Sequence, residues 1–256
     1  MRLAVVGVGG VGMAHVVAAR RAGLDVVALV DRDEAILTRA RQDWANRWLD
    51  VYERADPHPD TQYLYSAIDL PLDIDLTVIA TPPDTHNTVL AACLWATRGR
   101  IILEKPVSYP GVPLPLSKTE EARVSVSGEW VHHQGVQTFH DPLVSLTMAF
   151  PEAHTTTWKT PLPMSLDFMP HLLSIIRAKH YLVDDIVRLD ENTYLVQSSG
   201  GHIECYLRRT PPYGLWLNDT HLDWQDNLFD LQLLAGRGPL GYREARHYES
   251  LLLARR

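Results

Sequence analysis

Two cysteines, Cys93 and Cys205, stand far apart among 256 residues, which excludes a disulfide framework and a cysteine-based metal site. There is no H-E-x-x-H run, and the adjacent His132 and His133 would point to opposite faces of a strand, so no metal is expected at Trp130-Val131-His132-His133 or at His140 and Asp141 downstream. No stretch approaches the roughly 20 apolar residues that span a bilayer, and no membrane association is expected. Basic runs are also absent and the formal net charge is -7. This argues against nucleic acid as a partner, because phosphate contacts supply most of that affinity. There is no repeat, no low-complexity tract, and no charged leader with an apolar core ahead of the first strand. The expected compartment is the cytoplasm. What remains is a chain with 46% hydrophobic residues, ample for a packed core in one large or two modest domains.

The most informative segment is the first. Leu3-Ala4-Val5-Val6 reads as a β-strand and runs directly into Gly7-Val8-Gly9-Gly10-Val11-Gly12, a G-x-G-x-x-G turn that opens a helix predicted from Met13 to Ala22 and stopped by Gly23. A second apolar strand, Val26 to Val30, ends in Asp31, at the spacing of about 20 residues at which an acid meets a ribose. Together these are the parts of a dinucleotide-binding βαβ unit. Gly7 permits the tight turn, Gly9 lets the backbone approach a pyrophosphate, and Gly12 lets helix and strand pack closely. The helix N-terminus, with Gly10 and Val11 of the turn leading into it, offers free N–H groups and the positive end of its dipole to a cofactor. Asp31 favours NAD, since a 2'-phosphate would meet its charge, whereas the guanidinium of Arg32 could hold that phosphate, so the cofactor is NAD or NADP.

The alternation continues. Asp33 to about Asp50 reads as a helix that Asp31 or Asp33 caps, with Trp44 and Trp48 forming a packed stripe at i, i+4 spacing, and Asp56 to Asp60 as a loop. Asp75 to Ala80 is a buried parallel strand ending at Thr81-Pro82-Pro83. A helix follows from His86 to Thr97, and Ile101-Ile102-Leu103 delivers Glu104-Lys105-Pro106. The predicted fold is therefore α/β, a Rossmann doubly wound parallel sheet over residues 1–108. After a proline-rich crossover come short strand candidates at Val124–Ser127, Ala153–Trp158, Tyr181–Val183, Tyr194–Val196, His202–Leu207 and Leu215–Leu217, with helices at Pro170–Lys179, Asp226–Leu234 and Tyr242–Ala254. Residues 109–256 thus read as an α+β domain with a mostly antiparallel sheet, for substrate binding and oligomerisation. Of the strand tryptophans, Trp158, Trp216 and Trp224 would form a core or an interface face.

Three segments together resemble the glucose-fructose oxidoreductase / inositol dehydrogenase / MocA family. They are the glycine run with Asp31, the strand end Thr81-Pro82-Pro83-Asp84-Thr85-His86, and Glu104-Lys105-Pro106. The resemblance is continuous over residues 1 to about 108 and patchy beyond. It implies an NAD(P)-dependent oxidoreductase that moves a hydride between nicotinamide and a carbonyl or hydroxyl carbon of a sugar, cyclitol or related small metabolite. It places Thr81, Pro82, Pro83, His86, Glu104 and Lys105 at the cofactor, with Lys105 beside the reacting carbon. Asp167-Phe168-Met169-Pro170-His171 resembles the family's second signature, with His171 as general acid/base and Asp167 orienting it or binding substrate. Here Phe168, Met169 and Pro170 stand where the family usually has small residues, and Ser174 where it usually has a further Asp. The proline would place the helix start at residue 170. The chain is also short for the family, a shortfall assigned to the second domain. A homo-oligomer, dimer or tetramer, is implied. The alternatives are an imine or conjugated C=C reductase on the same fold, which the lost acid would suit, and a non-catalytic dinucleotide-binding protein.

Overall fold

The computed structural model describes residues 1–42, 60–150, 162–225 and 227–254. Its first sheet is built around β1 (Arg2–Val6), whose apolar residues are buried on both faces, and β1 pairs in parallel with β2 (Asp25–Val30) and β4 (Leu76–Ile79). With β3 (Gln62–Leu64), β5 (Arg100–Leu103) and β6 (Val124–Val126) the spatial order is β3-β2-β1-β4-β5-β6, all parallel, and the two-residue β13 (Leu240–Gly241) closes the β6 edge antiparallel. This is the doubly wound order, with the chain reversing direction beside β1, so the crevice for a ligand opens at the carboxyl ends of β1 and β4. The helices on its faces are α1 (Gly10–Arg21), α2, whose described residues are 34–42, and α3 (His86–Ala96). Asp33 Oδ1 accepts from Ala35 N at 2.9 Å, the side-chain cap expected for α2.

The glycine turn has the conformation its sequence requires. Gly7 sits at φ +85°, and a Cβ on Gly12 would stand 1.8 Å from the Gly7 carbonyl oxygen, so α1 can lie against the β1 turn only with glycine there. The expectation for Val124–Ser127 needs correcting: that segment is a strand, but it extends the parallel sheet as β6. The sheet therefore crosses the division at residue 108 and takes β13 from near the C-terminus as well. The three-residue β3 gave no sequence signal.

The second sheet has the order β12-β11-β7-β10-β9-β8, built from β7 (Ser145–Ala149), β8 (Val183–Arg188), β9 (Thr193–Ser198), β10 (Gly201–Arg208), β11 (Gly214–Leu217) and β12 (Thr220–Leu222). It is antiparallel except for β7 beside β10. Between the two sheets lies α6 (Met164–Ala178), which follows the short α4 (Lys118–Glu121) and α5 (Gln134–Thr138). The chain closes with α7 (Leu228–Ala235) and α8 (Tyr242–Leu253). Helix α6 does not start at Pro170. It begins six residues earlier and carries the proline in its interior. Proline costs a helix about 3 kcal/mol. Leu166, Phe168, Met169, Leu172, Leu173, Ile175 and Ile176 are nearly inaccessible on the same helix, and at about 2 kcal/mol each their burial decides the matter. One core cluster runs without a break from Ile79 and Leu103 of the first sheet, through these α6 residues, to Met148, Val196 and Leu207 of the second. The expected Trp44–Trp48 stripe, the 56–59 loop, the 153–158 strand with Trp158, and Asp226 lie outside the described residues; Trp216 is on β11, and Trp224 follows β12 outside any strand.

Candidate active site

Each parallel strand delivers one part of the site at its carboxyl end. The β1 end carries the glycine turn: Gly7 N donates to Val30 O at 2.8 Å, and Gly9 precedes α1 with no side chain capping the helix's first N–H groups. A Cβ on Gly9 or Gly10 would meet nothing within 4 Å, so the turn is open on that side. The β2 end carries Asp31, whose Oδ2 accepts from Val8 N at 3.2 Å and Oδ1 from Asp33 N at 3.0 Å, fixing the carboxylate across the mouth of the turn. Beside it a cavity of about 340 Å³ is lined by Asp31, Arg32, Tyr65, Ser66, Thr81 and Pro82. Thr81 Oγ1 is enclosed without a partner. An uncapped helix N-terminus, an acid at the end of the second strand and an adjoining cavity fit a dinucleotide.

His86 ties two of these strand ends together. It is fully buried, with Nδ1 2.8 Å from the Pro106 carbonyl oxygen and Nε2 2.8 Å from that of Thr81, and burial lowers its pKa. It therefore braces the Thr81-Pro82-Pro83 segment against the strand end that carries Lys105, rather than reaching outward to a ligand. The loop after Lys105 is held from the other side by Glu249 of α8, which accepts from Val107 N and Ser108 N.

Lys105 is the centre of a charge network. Its Nζ donates to Asp167 Oδ1 at 2.8 Å and to the Asp167 carbonyl at 3.1 Å, and Arg209, just past β10, donates to Asp167 Oδ2 at 3.1 Å while its guanidinium lies over the Phe168 ring. Burial works against both ions, yet the pairing prevails. Asp167 and Glu104 raise the Lys105 pKa, and Lys105 together with its hydrogen bond lowers that of Asp167. Lys105 is therefore an ammonium at neutral pH, suited to stabilising negative charge on an oxygen and unsuited to taking a proton. Glu104 turns the opposite way, where His15 Nε2–H of α1 donates to its Oε1 at 2.8 Å. Burial alone would raise the Glu104 pKa, but that bond and the neighbouring ammonium hold it low.

One turn on from Asp167, His171 shares its helix face and is 7% exposed. Burial, then the Lys105 charge, push its pKa down to about 3, so the ring is neutral. Asp167 and His171 are thus brought together as the spacing predicts, but the Asp167 carboxylate is taken by Lys105 and Arg209 and not by the imidazole. The carboxylate that lies against the ring is Glu129, on the turn after β6, with Oε2 3.7 Å from His171 Nδ1. Ser174 is fully buried and turns back to donate to the Pro170 carbonyl at 2.7 Å, filling the space beside Gly128. His132 and His133 are in a tight turn and a helix cap, not a strand, and His133 is held by Gly135 N and the Asp223 carbonyl. Among the described residues no group of three or more His, Cys, Asp or Glu is placed to hold a metal ion. Sequence reasoning missed His15, Glu129, Arg209 and Glu249; each meets the site across a long chain separation, and only a Glu directly after the turn Ser127-Gly128 carried a local signal.

This fold and site define a Rossmann-fold dinucleotide enzyme. Residues 1–114 match the model of the GFO_IDH_MocA family, described as an oxidoreductase family with an NAD-binding Rossmann fold. A comparison with curated proteins finds no sequence match. Among solved structures, the WlbA (WbpB) dehydrogenase from Thermus thermophilus, in complex with NAD and UDP-GlcNAcA, is similar with 15% identity and a TM-score of 0.64 over 98% of this chain and 93% of that one. UDP-N-acetylglucosamine 3-dehydrogenase GnnA from Acidithiobacillus ferrooxidans is similar with 16% identity and a TM-score of 0.63, over 100% and 96%. Scyllo-inositol dehydrogenase from Lactobacillus casei, with NAD(H) and scyllo-inositol, gives 14% and 0.62, over 100% and 95%. The likeness in fold is therefore spread along the whole chain and does not stop at the Rossmann part. Neither a C=N or C=C reductase nor a non-catalytic binder is favoured by these comparisons.

Proposed function

We propose that this enzyme transfers hydride between NAD and a carbon–oxygen bond of a sugar, cyclitol or related small polar metabolite. Bound NAD would supply or accept the hydride. The observation that carries the reading is the Lys105 ammonium, held 2.8 Å from Asp167 at the carboxyl edge of the parallel sheet, with His171 one helical turn away on the same face. In this reading Lys105 polarises the substrate carbonyl, or steadies the alkoxide as hydride leaves, and His171 exchanges a proton with the same oxygen. Asp167 and Arg209 fix the lysine and contact substrate hydroxyls. Gly9, Gly10 and Val11 hold the pyrophosphate at the α1 N-terminus, and Thr81 and Pro82 wall the nicotinamide side.

Asp31 supports NAD over NADP. Its carboxylate is anchored by two backbone N–H groups in the position where a 2'-phosphate would arrive, and exposed Arg32 only partly offsets the repulsion. The reading extends to residues 1–108 as the cofactor unit and the rest as the substrate unit, and to a cytoplasmic homo-oligomer that associates through the outer face of the second sheet, where half-buried Trp216 stacks on His221. Both cysteines are free and buried, which supports a reducing compartment.

The test is a screen of keto-sugars, keto-cyclitols and nucleotide-linked sugars for consumption of NADH, repeated with Lys105→Ala. Turnover of at least one substrate that drops by two or more orders of magnitude in the variant is expected. Turnover unchanged by the substitution would remove Lys105 from the chemistry.

A further inference from the structure

We propose that Glu129 acts through His171, holding the imidazole as its Nε2–H tautomer and serving as the proton reservoir behind it. The inference rests on the role given to His171 above and adds a second group to the proton path.

The geometry is that of a two-residue relay enclosed in the protein. Glu129 and His171 have side chains only 7% and 9% exposed, and the two meet across the seam between the turn after β6 and α6. Of the two ring nitrogens, Nδ1 is the one enclosed with no hydrogen-bond partner, and the Glu129 carboxyl lies 3.7 Å away on that side. An enclosed ring nitrogen left unpaired is costly, and a carboxyl turned toward it removes that cost with a shift of less than an ångström, of the kind that tightens when an active site closes. The surroundings decide where the proton sits. Glu129 is faced by Glu104 and Lys105 from the end of β5 and by Asp167 and His171 from α6, with neutral Gln232 of α7 bonded to the adjoining Ser127 and Gly128. Burial and the Glu104 carboxylate both disfavour a second anion here, while burial and Lys105 disfavour a cation on the imidazole. The state with least charge has Glu129 protonated, donating to Nδ1, and His171 carrying its own proton on Nε2.

The proton balance then closes. In carbonyl reduction the hydride brings two electrons to the substrate carbon, the carbonyl π pair moves to oxygen, and His171 Nε2 gives its proton to that oxygen as the Glu129 proton passes to Nδ1. The ring ends neutral, Glu129 ends as a carboxylate, and solvent returns the proton. Alcohol oxidation runs the same path backwards. No imidazolium need form beside Lys105, which explains how a histidine held at about 3 can work at neutral pH: it passes protons on without storing one.

The experiment is nitrogen NMR on protein labelled at histidine, with the His171 signals assigned by their loss in His171→Asn. In the wild type Nδ1 should report as unprotonated and hydrogen-bonded and Nε2 as protonated, and both should move with a single inflection near neutral pH as Glu129 titrates. In Glu129→Gln the tautomer should persist, because the amide also donates to Nδ1, and the inflection should vanish. A His171 that carries its proton on Nδ1 in the wild type, or an inflection that survives in Glu129→Gln, would overturn the proposal. The wild-type tautomer is read without the Glu129 variant, so a poorly folding Glu129→Gln cannot shelter it. NADH binding measured on the same samples keeps the two claims apart: lost binding refutes the oxidoreductase reading and leaves the tautomer result to be judged by itself.

Discussion

Replacing Lys105 by methionine, which keeps the length of the stem and deletes the charge, probes the network at its centre. The lysine and Asp167 are 2.8 Å apart with side chains 16% and 17% exposed. Removing one member of such a pair costs about 3–5 kcal/mol when the other is left alone in the interior. Asp167 is not left alone, since Arg209 stays at 3.1 Å, so the expected loss is about 2 kcal/mol, or about 4–8 °C in Tm for a chain of this size. The pH dependence identifies the cause. The folded pKa of Asp167 is depressed, so its contribution is complete above the unfolded value of about 4 and is lost as pH falls through the folded one. That of Lys105 is raised, so its contribution is complete below about 10.4 and is lost as pH rises through the folded value. The pair's own share of the stability gap between wild type and variant should therefore be flat from about pH 5 to pH 10 and close on both sides, while His171 and Glu129, which also feel the Lys105 charge, add their own pH dependence around and below pH 7. Urea unfolding across that range measures it. A variant as stable as wild type at pH 7, or a gap that does not narrow in acid, would refute the charge network. With a substrate in hand, kcat should fall by about 10²–10³, the usual loss when one oxyanion-stabilising donor is deleted.

Further consequences follow from the same geometry. Gly12→Ala places a Cβ 1.8 Å from the Gly7 carbonyl oxygen, so α1 must move off the turn; NADH binding should be lost, with destabilisation of about 1–3 kcal/mol or more, and calorimetry of binding and of melting would each report it. Asp31→Ala should weaken NADH about tenfold, near 1.4 kcal/mol for the ribose hydrogen bonds, and narrow the difference between NADH and NADPH; equal NADH affinity in the variant would remove the ribose role. The folded His171 pKa is lowered to about 3, so between there and about 6.5 the unfolded chain binds a proton that the folded one does not, and stability should fall by about 2 kcal/mol from pH 7 to pH 5 on this account alone. His171→Gln should lack that part of the slope, and unfolding curves at the two pH values would detect an unchanged slope if the ring were open to water.

The parts of this protein that were legible in the sequence are those in which chemistry and geometry are local. The β1 strand, glycine turn, α1 and Asp31 follow one another within one βαβ unit, and Lys105 stands two residues past the end of β5, so apolar runs and their terminators were enough to find them. The α6 boundary was misread because proline is a local signal for a start, while the burial that overrides it, of Phe168, Met169 and Leu172 between two sheets, is a property of the whole fold. Val124–Val126 reads as a strand with no indication of which sheet receives it, and β13 has only two residues. The charge partners were hidden for a similar reason. His15 meets Glu104 across 89 residues, and Arg209 meets Asp167 across 42; pairings at such distances are set by topology, which one chain's periodicity does not encode.

The central claim is that the glycine turn and the Asp31 cavity hold NAD beside Lys105. Titration of the purified protein with NADH and NADPH, following nicotinamide emission and tryptophan quenching, tests it most directly. Saturable micromolar binding of NADH, about 8 kcal/mol, with NADPH weaker, is the predicted result. Absence of binding by either dinucleotide would mean that the turn is structural, and the assignment of Lys105 and His171 to hydride-transfer chemistry would fall with it.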